Sequence, residues 1–426
     1  MTTAAHRGLA PSRATLDNGA VVIAKQSQTT PAVTLHAAIA AGVVFDPSDR
    51  PGIAHFLSRT IDRGTRTRPA DAIAEELDRR GVSLAVTVNR HVVSLVCTCL
   101  VEDLDTILAV LADIVRHPIF PAEEVDTRRG EIITLIRQDE DNPATMASEG
   151  LLSDLYGAAH GYGRRTRGTI ASVEGIDRST LARFHQERCA PGSLSLVMVG
   201  DIEPAAAIDA AAAAFADWEA PLPPPAQLDP VPPQAGRRVR VIPMMNKAQA
   251  DIAYGFTTIR RSDPTYYAHW LMNNILGQYS LGGRLGDSIR ERQGMAYYVY
   301  SALDANVIPG PLIIRAGVNP ANVDRAIASI DEELSKLAAD GPTDQELAES
   351  KQFLIGSMPR HLETNVGIAS FLQTVEFFGL GLDYDVRVPA LLQAVRGEEV
   401  HEAARRTVDP GRATVVVAGP YSGQPA

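Results

Sequence analysis

The 426-residue sequence holds only three cysteines, Cys97, Cys99 and Cys189. Cys97 and Cys99 stand two apart in a strand-like run, and two residues along one strand rarely bridge. No disulfide framework is therefore expected, and a reducing compartment, the cytoplasm, fits. Long apolar runs are also missing, so no membrane span is expected, since one needs about 18 uninterrupted apolar residues. The stretch from Met1 to Arg13 lacks the apolar core of a signal peptide. Basic residues are outnumbered, 40 against 51 acidic, for a formal net charge of −11. They are not clustered either, which argues against a nucleic-acid partner. No G-x-S-x-G elbow and no flanked Cys supports nucleophilic catalysis. The run His185-Gln186-Glu187-Arg188-Cys189 mixes ligand types, but nothing nearby completes a metal set and it reads as a helix end.

What is present is enough apolar material, 45% of residues, for a large core in two to three domains. Residues 20–26 and 33–40 alternate as strands. Helical spacing follows at 51–62 and 69–80, and strands at 82–88 and 91–100. Amphipathic helices are predicted at 102–116 and 122–138, further helices at 143–160 and 177–188, and a closing strand at 193–200. Residues 220–235 are Pro-rich and predict an extended, semi-rigid linker. Beyond them the order repeats: strands at 237–243 and 249–256, helices at 263–276 and 283–292, strands at 296–303 and 311–317, long helices at 320–338 and 343–360, and a closing strand at 413–418. The domain reading is 1–219, linker 220–236, and 237–426.

The stretch Pro47 to Gly64 reads as a helix start, with Ser48 or Asp49 as cap and Pro51 where a missing N–H does no harm. His55 lies one turn before Arg59 on one face, with Ser58 between them. The frame is that of H-x-x-E-H, in which two His hold zinc and the Glu takes a proton from bound water. Here Ser58 and Arg59 stand at the second and third of those positions. The run Ala41 through Asp46, Pro51 through Leu57 and Arg63-Gly64-Thr65 resembles the motif region of the pitrilysin/insulinase family of inverzincin zinc peptidases, in its mitochondrial-processing-peptidase-like branch. The resemblance extends over nearly the whole chain.

That resemblance implies an α+β fold: two similar domains, each an antiparallel sheet packed with helices, joined by the Pro-rich linker into half of a clamshell. It also implies a third zinc ligand on a later helix. The run from Arg129 to Pro143, ending Glu140-Asp141-Asn142-Pro143, resembles that helix, and the ligand position falls on Leu135. Of three ligands and one base only His55 survives. Arg59 puts a permanent charge where a dication would sit, and a salt bridge from Glu131 to Arg59 is expected there instead of a metal. The edge strand that meets substrate in active relatives resembles Gly81 to Thr87, with Ala85 and Val86 where those relatives carry Asn-Ala.

The second half keeps more. Residues 282–298 resemble the family stretch R-E-x-x-G-L-A-Y, which places its Arg and Tyr on Arg290 and Tyr297. In the family this pair comes from the domain opposite the zinc, binds the substrate backbone and helps stabilise the oxyanion. The loop from Gly277 to Gly283 resembles a reduced form of a glycine-rich substrate loop, implying a binding role for Gly282 and Gly283. It is not a phosphate loop, because no Lys-Ser/Thr follows. The resemblance thus implies a non-catalytic subunit of a heterodimeric zinc peptidase, holding no cofactor itself. Its partner would be a homologous chain with intact H-x-x-E-H and zinc, and its substrate an unfolded peptide or leader peptide. The alternatives are a structural scaffold, which needs neither Arg290 nor Tyr297, and a divergent enzyme active as a homodimer.

Overall fold

The computed structural model describes residues 8–278 and 283–423. In the first half the elements are β1 (Ser12–Thr15), β2 (Val21–Gln26), β3 (Ala32–Ile39), α1 (Ile53–Thr60), α2 (Ala70–Asp78), β4 (Ala85–Val88), β5 (Val93–Leu100), α3 (Leu104–Arg116), α4 (Ala122–Glu140), α5 (Pro143–Tyr156), α6 (Ile170–Glu174), α7 (Arg178–Arg188), β6 (Leu194–Gly200) and α8 (Pro204–Phe215). The second half has β7 (Arg238–Pro243), β8 (Ala250–Thr257), α9 (Tyr266–Asn273), β9 (Ala296–Leu303), β10 (Pro311–Val318), α10 (Val323–Asp340), α11 (Asp344–His361), α12 (Asn365–Phe377), α13 (Tyr384–Ala394), α14 (Gly397–Thr407) and β11 (Thr414–Gly419). Between α9 and β9 the chain forms two π-helical segments, Asn274–Gln278 and Gly286–Arg292, in place of the regular helix ends that periodicity suggests. Residues 220–235 carry no helix or strand.

The fold is α+β with two sheets. The first runs β1-β2-β6-β3-β5-β4 and the second β7-β11-β8-β10-β9. Leaving β1 aside, the two orders are the same: first strand, closing strand, second, fourth, third. Each sheet is antiparallel except for one parallel pair, β2 with β6 and β7 with β11. The repeat makes β4 and β9 equivalent, and both stand at a sheet edge.

The compact units are not consecutive pieces of chain. One comprises residues 1–136, 165–228 and 358–386, the other 137–164, 229–357 and 387–426. The helices that change allegiance, α5 and α12, hold matching places in the repeat, each following a long helix. In the first unit, Ile368, Ala369 and Leu372 of α12 pack with Ile23, Val197 and Val199 of the sheet. Buried Gln373 locks the register: its Nε2 donates to the backbone oxygens of His36 (2.7 Å) and Ser195 (2.9 Å), and its Oε1 accepts from the Ser195 hydroxyl (2.6 Å). The other face of that sheet buries α1 and α3 through Ile53, Phe56, Leu57, Ile107, Leu108 and Leu111. In the second unit α5 lies on β8 and β11, with Leu151 filling the space over Gly255.

Candidate functional site

Helix α1 carries the degenerate motif. It starts differently from the sequence reading. The cap is Asp46, whose carboxylate accepts from Gly52 N–H (2.6 Å) and Ala54 N–H (3.0 Å), and Pro51 precedes the helix. Neither Ser48 nor Asp49 makes this contact, and Gly52, at φ 93°, is the last residue before the helix. A side chain at Gly52 would strike the Arg167 carbonyl, 2.5 Å from the position of its Cβ. Gly168 likewise allows close approach to the Pro51 carbonyl. The two glycines let two backbones touch, and Arg167 comes close enough to His55 to act on it electrostatically.

His55 is mostly buried and its Nε2 has no hydrogen-bond partner. Burial, then the charges of Arg167 and Arg59, push its pKa down to about 4, so the ring is neutral at pH 7. The Ser58 hydroxyl donates to the His55 carbonyl (2.7 Å), within its own helix turn. It cannot take up a proton as a base. Arg59 reaches Glu131 of α4 at 3.4 Å, the ion pair expected from sequence. Glu131 is also held by Arg128, and hydrogen bonding to Arg128 in particular keeps its carboxyl below the usual range. Leu135 stands one turn further along α4, half-buried and without a donor atom.

Zinc needs three protein ligands and an open position. These positions offer one neutral imidazole, a guanidinium and an alkyl side chain, a set that does not fit the metal. Among the described residues no group of three or more His, Cys, Asp or Glu is gathered in a way that could hold a metal ion.

The second candidate set lies on the other unit. Arg290 sits in the last turn of the π-helical segment, half-exposed, its Nε 3.7 Å from Glu291. Buried Leu285, Ile289 and Met295 anchor that segment. Gly294, at φ 62°, turns the chain, and Met295 N–H reaches back to the Ile289 carbonyl (3.1 Å). The helix end with Arg290 and the start of β9 with Tyr297 are thereby folded together. Tyr297 is 65% exposed. Its exposure has a backbone cause: Val318 pairs with Ala296 and Gly317 with Tyr298, so Tyr297 is the extra residue of a β-bulge. Bulges re-aim side chains and gather at edges and sites. Sequence periodicity does not reveal this one.

The glycine loop is only partly in view. Gly282 lies outside the described residues. Gly283 is buried with its backbone against Gly277, where a Cβ would lie 2.8 Å from the Gly277 Cα, so packing alone requires glycine there. Next to it, Arg284 makes a two-pronged contact with Glu346 at 2.7 and 2.9 Å. On the first unit, β4 presents Ala85 and Thr87 to solvent and pairs on one side with β5, Ala85 facing Val96.

Two repeated α+β units, one with a dismantled H-x-x-E-H helix and one with an exposed Arg and Tyr at a bulged edge, define a non-catalytic-like member of the inverzincin peptidases. Comparison agrees. A family model described as "Insulinase (Peptidase family M16)" matches residues 21–169, and one described as "Peptidase M16 inactive domain" matches residues 175–354. The chain belongs to this insulinase/pitrilysin family. It is 27% identical to an uncharacterized zinc protease of Streptomyces coelicolor, over 88% of this chain and 82% of that one. An uncharacterized zinc protease of Bacillus subtilis is 26% identical, over 83% and 84%. The crystal structure of a peptidase M16 inactive domain from Pseudomonas fluorescens superposes with a TM-score of 0.90 at 25% identity, covering 97% of this chain and 98% of that one. A protease from Helicobacter pylori shares the fold at a TM-score of 0.88 and 17% identity, over 96% and 99%.

Proposed function

We propose that the chain is the non-catalytic subunit of a heterodimeric zinc peptidase. A homologous partner with an intact H-x-x-E-H helix supplies the zinc and the base. This chain supplies Arg290 and Tyr297, which hold an extended peptide by its backbone and stabilise the developing oxyanion. The observation that carries the reading is the asymmetry between the units: the helix of His55, Ser58, Arg59 has lost its metal chemistry, while Tyr297 is held outward by a bulge at an open sheet edge. At 65% exposure Tyr297 is not fixed by core packing. The substrate class is an unfolded peptide or the leader of a small polypeptide, bound by strand addition. Three buried thiols suit a reducing compartment such as the cytoplasm.

The test is zinc content and peptide cleavage of the chain alone, then mixed with a homologue carrying the intact motif. The expected result is neither zinc nor cleavage alone, and cleavage on mixing. In the active mixture Arg290→Ala and Tyr297→Phe should each cut turnover by roughly tenfold to a thousandfold, while His55→Ala should change it little. Zinc-dependent cleavage by the chain alone would overturn the reading, and so would unaltered turnover in both site variants.

A further inference from the structure

On β9, Val299 and Ser301 are buried, and the Ser301 hydroxyl donates to the Asn273 carbonyl at the end of α9 (3.2 Å). Successive side chains of a strand alternate between faces. Strict alternation would send Tyr297 to the same buried face, opposite the fully buried Val318 of β10. Ala296 takes that place instead, paired with Val318 and itself buried, and Tyr297 is the residue left over. A bulge puts two residues of one strand against one of its partner. It persists where the strand is held on both sides of the extra residue. On the upstream side Met295 is buried and its N–H bonds the Ile289 carbonyl.

On the downstream side stands Tyr298. It pairs with Gly317, and Gly317 pairs with Asp251, so the three form a row across β9, β10 and β8. A Cβ on Gly317 would lie 2.5 Å from Cε1 of Tyr298. Its absence lets the Tyr298 ring lie across β10, and the hydroxyl donates to Asp251 Oδ1. Gln249 Nε2 donates to the same oxygen at 3.1 Å and steadies the carboxyl group. Asp251 is buried, so the tether is made away from bulk water, where losing a partner is costly. With Tyr298 fixed opposite Gly317 and Ala296 opposite Val318, no paired position is left for Tyr297.

We propose that Asp251 is a positioning residue for Tyr297: it holds the Tyr298 hydroxyl across Gly317, pins the bulge, and so keeps the Tyr297 phenol outside the sheet. Asp251 stands on β8, two strands from β9, and acts through Tyr298 without meeting a peptide at the edge. Without the tether the extra residue can move one place along β9, which brings Tyr297 over Gly317 and turns Tyr298 out. The effect on Tyr297 is independent of the peptidase reading above, and only its bearing on turnover rests on that reading.

The test uses the full chain with 3-fluorotyrosine at position 297, read by fluorine NMR with a soluble nitroxide as broadening agent. The otherwise unaltered chain should give one signal, broadened as an exposed ring. Asp251→Ala and Tyr298→Phe should each add a second signal protected from the nitroxide. Asp251→Asn should restore the single exposed signal, because its amide oxygen still accepts from the Tyr298 hydroxyl. A fold merely loosened by substitution would not show that rescue. Tyr298→Phe removes one oxygen atom and supplies the readout even where Asp251→Ala does not fold. A single exposed signal in Tyr298→Phe overturns the proposal, as does a protected signal in Asp251→Asn equal to that of Asp251→Ala. In a cleaving mixture with the homologue, Asp251→Ala should lower kcat roughly tenfold to a hundredfold with KM changed less, since a displaced group beside the reacting bond acts on the rate. The two readings fail separately. A protected signal in Tyr298→Phe alongside turnover indifferent to Tyr297→Phe would overturn only the peptidase reading. Turnover that collapses in Tyr297→Phe while Tyr298→Phe keeps one exposed signal would overturn only the positioning role.

Discussion

Three histidines are held neutral by their surroundings. Burial pushes His36, His55 and His185 down to about 4, from an ordinary 6.5. In the unfolded chain each would take a proton as the pH falls through 6.5, while the folded chain refuses it until about 4. The unfolded state binds more protons in that window, so stability present above pH 6.5 is lost on the way down. Each histidine contributes on the order of 1.4 kcal/mol per pH unit within the window. His117 and His269 are held down in the same direction and add to this slope, whereas Asp62, Asp154 and Asp251, whose carboxyls burial holds above their usual range, oppose it, and depressed carboxylates such as Glu131 act at lower pH. Urea melts at pH 7 and pH 5 should show a loss of several kcal/mol, and His55→Gln should reduce it. Equal stability at the two pH values would refute the assignment. At this scale sequence tells much: the Arg59–Glu131 pair follows from helical spacing on two helices. The contacts of Asp251 with Tyr298 and Gln249 do not, because an Asp within the apolar run of β8 gives no sign of which neighbours reach it across the sheet.

Elements owe their ends and registers to single groups. Helix α1 begins where Asp46 caps it, and Asp46→Ala should cost about 1–2 kcal/mol in a urea melt, with Asp46→Asn recovering part of it. A full-strength effect from Ser48→Ala or Asp49→Ala would show the cap to be misassigned. Strand β9 depends on Gly317. A Cβ there would lie 2.5 Å from Cε1 of Tyr298, whose hydroxyl donates to Asp251 of β8, so Gly317→Ala should destabilise by roughly 1–3 kcal/mol and release the Tyr298 hydroxyl from Asp251. That release can be followed as a fall in the Tyr298 pKa, which burial and then the Asp251 contact now hold above the usual tyrosine value. A Tyr298 titration unmoved by Gly317→Ala would count against the tether. The strands flanking each half were legible from alternation, and the helix carrying His55 from its i, i+3, i+4 apolar stripe. The bulge at Tyr297 was not, because register is decided by the partner strand and not by the strand's own pattern. The π-helical turn at 286–292 escaped for a related reason: its apolar residues fit a regular helix almost as well.

The chain as a whole repeats one topology twice, and sequence order alone suggests two consecutive domains divided by the Pro-rich run. The contacts divide it otherwise, because α5 and α12 are each read in one half and packed in the other unit. Nothing in either helix announces this. Both are apolar enough to cover a sheet, and which sheet they cover is a matter of where the chain is led. The consequence is physical. A fragment spanning residues 1–219 lacks α12, so Ile23, Val197 and Val199 lose Ile368, Ala369 and Leu372. The Ser195 hydroxyl and the His36 and Ser195 carbonyls lose Gln373 as well. A fragment spanning residues 237–426 lacks α5 and exposes the sheet face around Gly255. Uncovering an apolar sheet face forfeits about 25 cal/mol for each Å² returned to water, against a total stability of only about 5–15 kcal/mol. Neither fragment should therefore give a cooperative melt alone, and each should bind a hydrophobic dye. Co-expressed, the two fragments should associate and restore a single transition, since each then supplies the helix the other lacks. A fragment that melts cooperatively by itself would show that its sheet does not need the exchanged helix. The full chain would then consist of two independent domains after all.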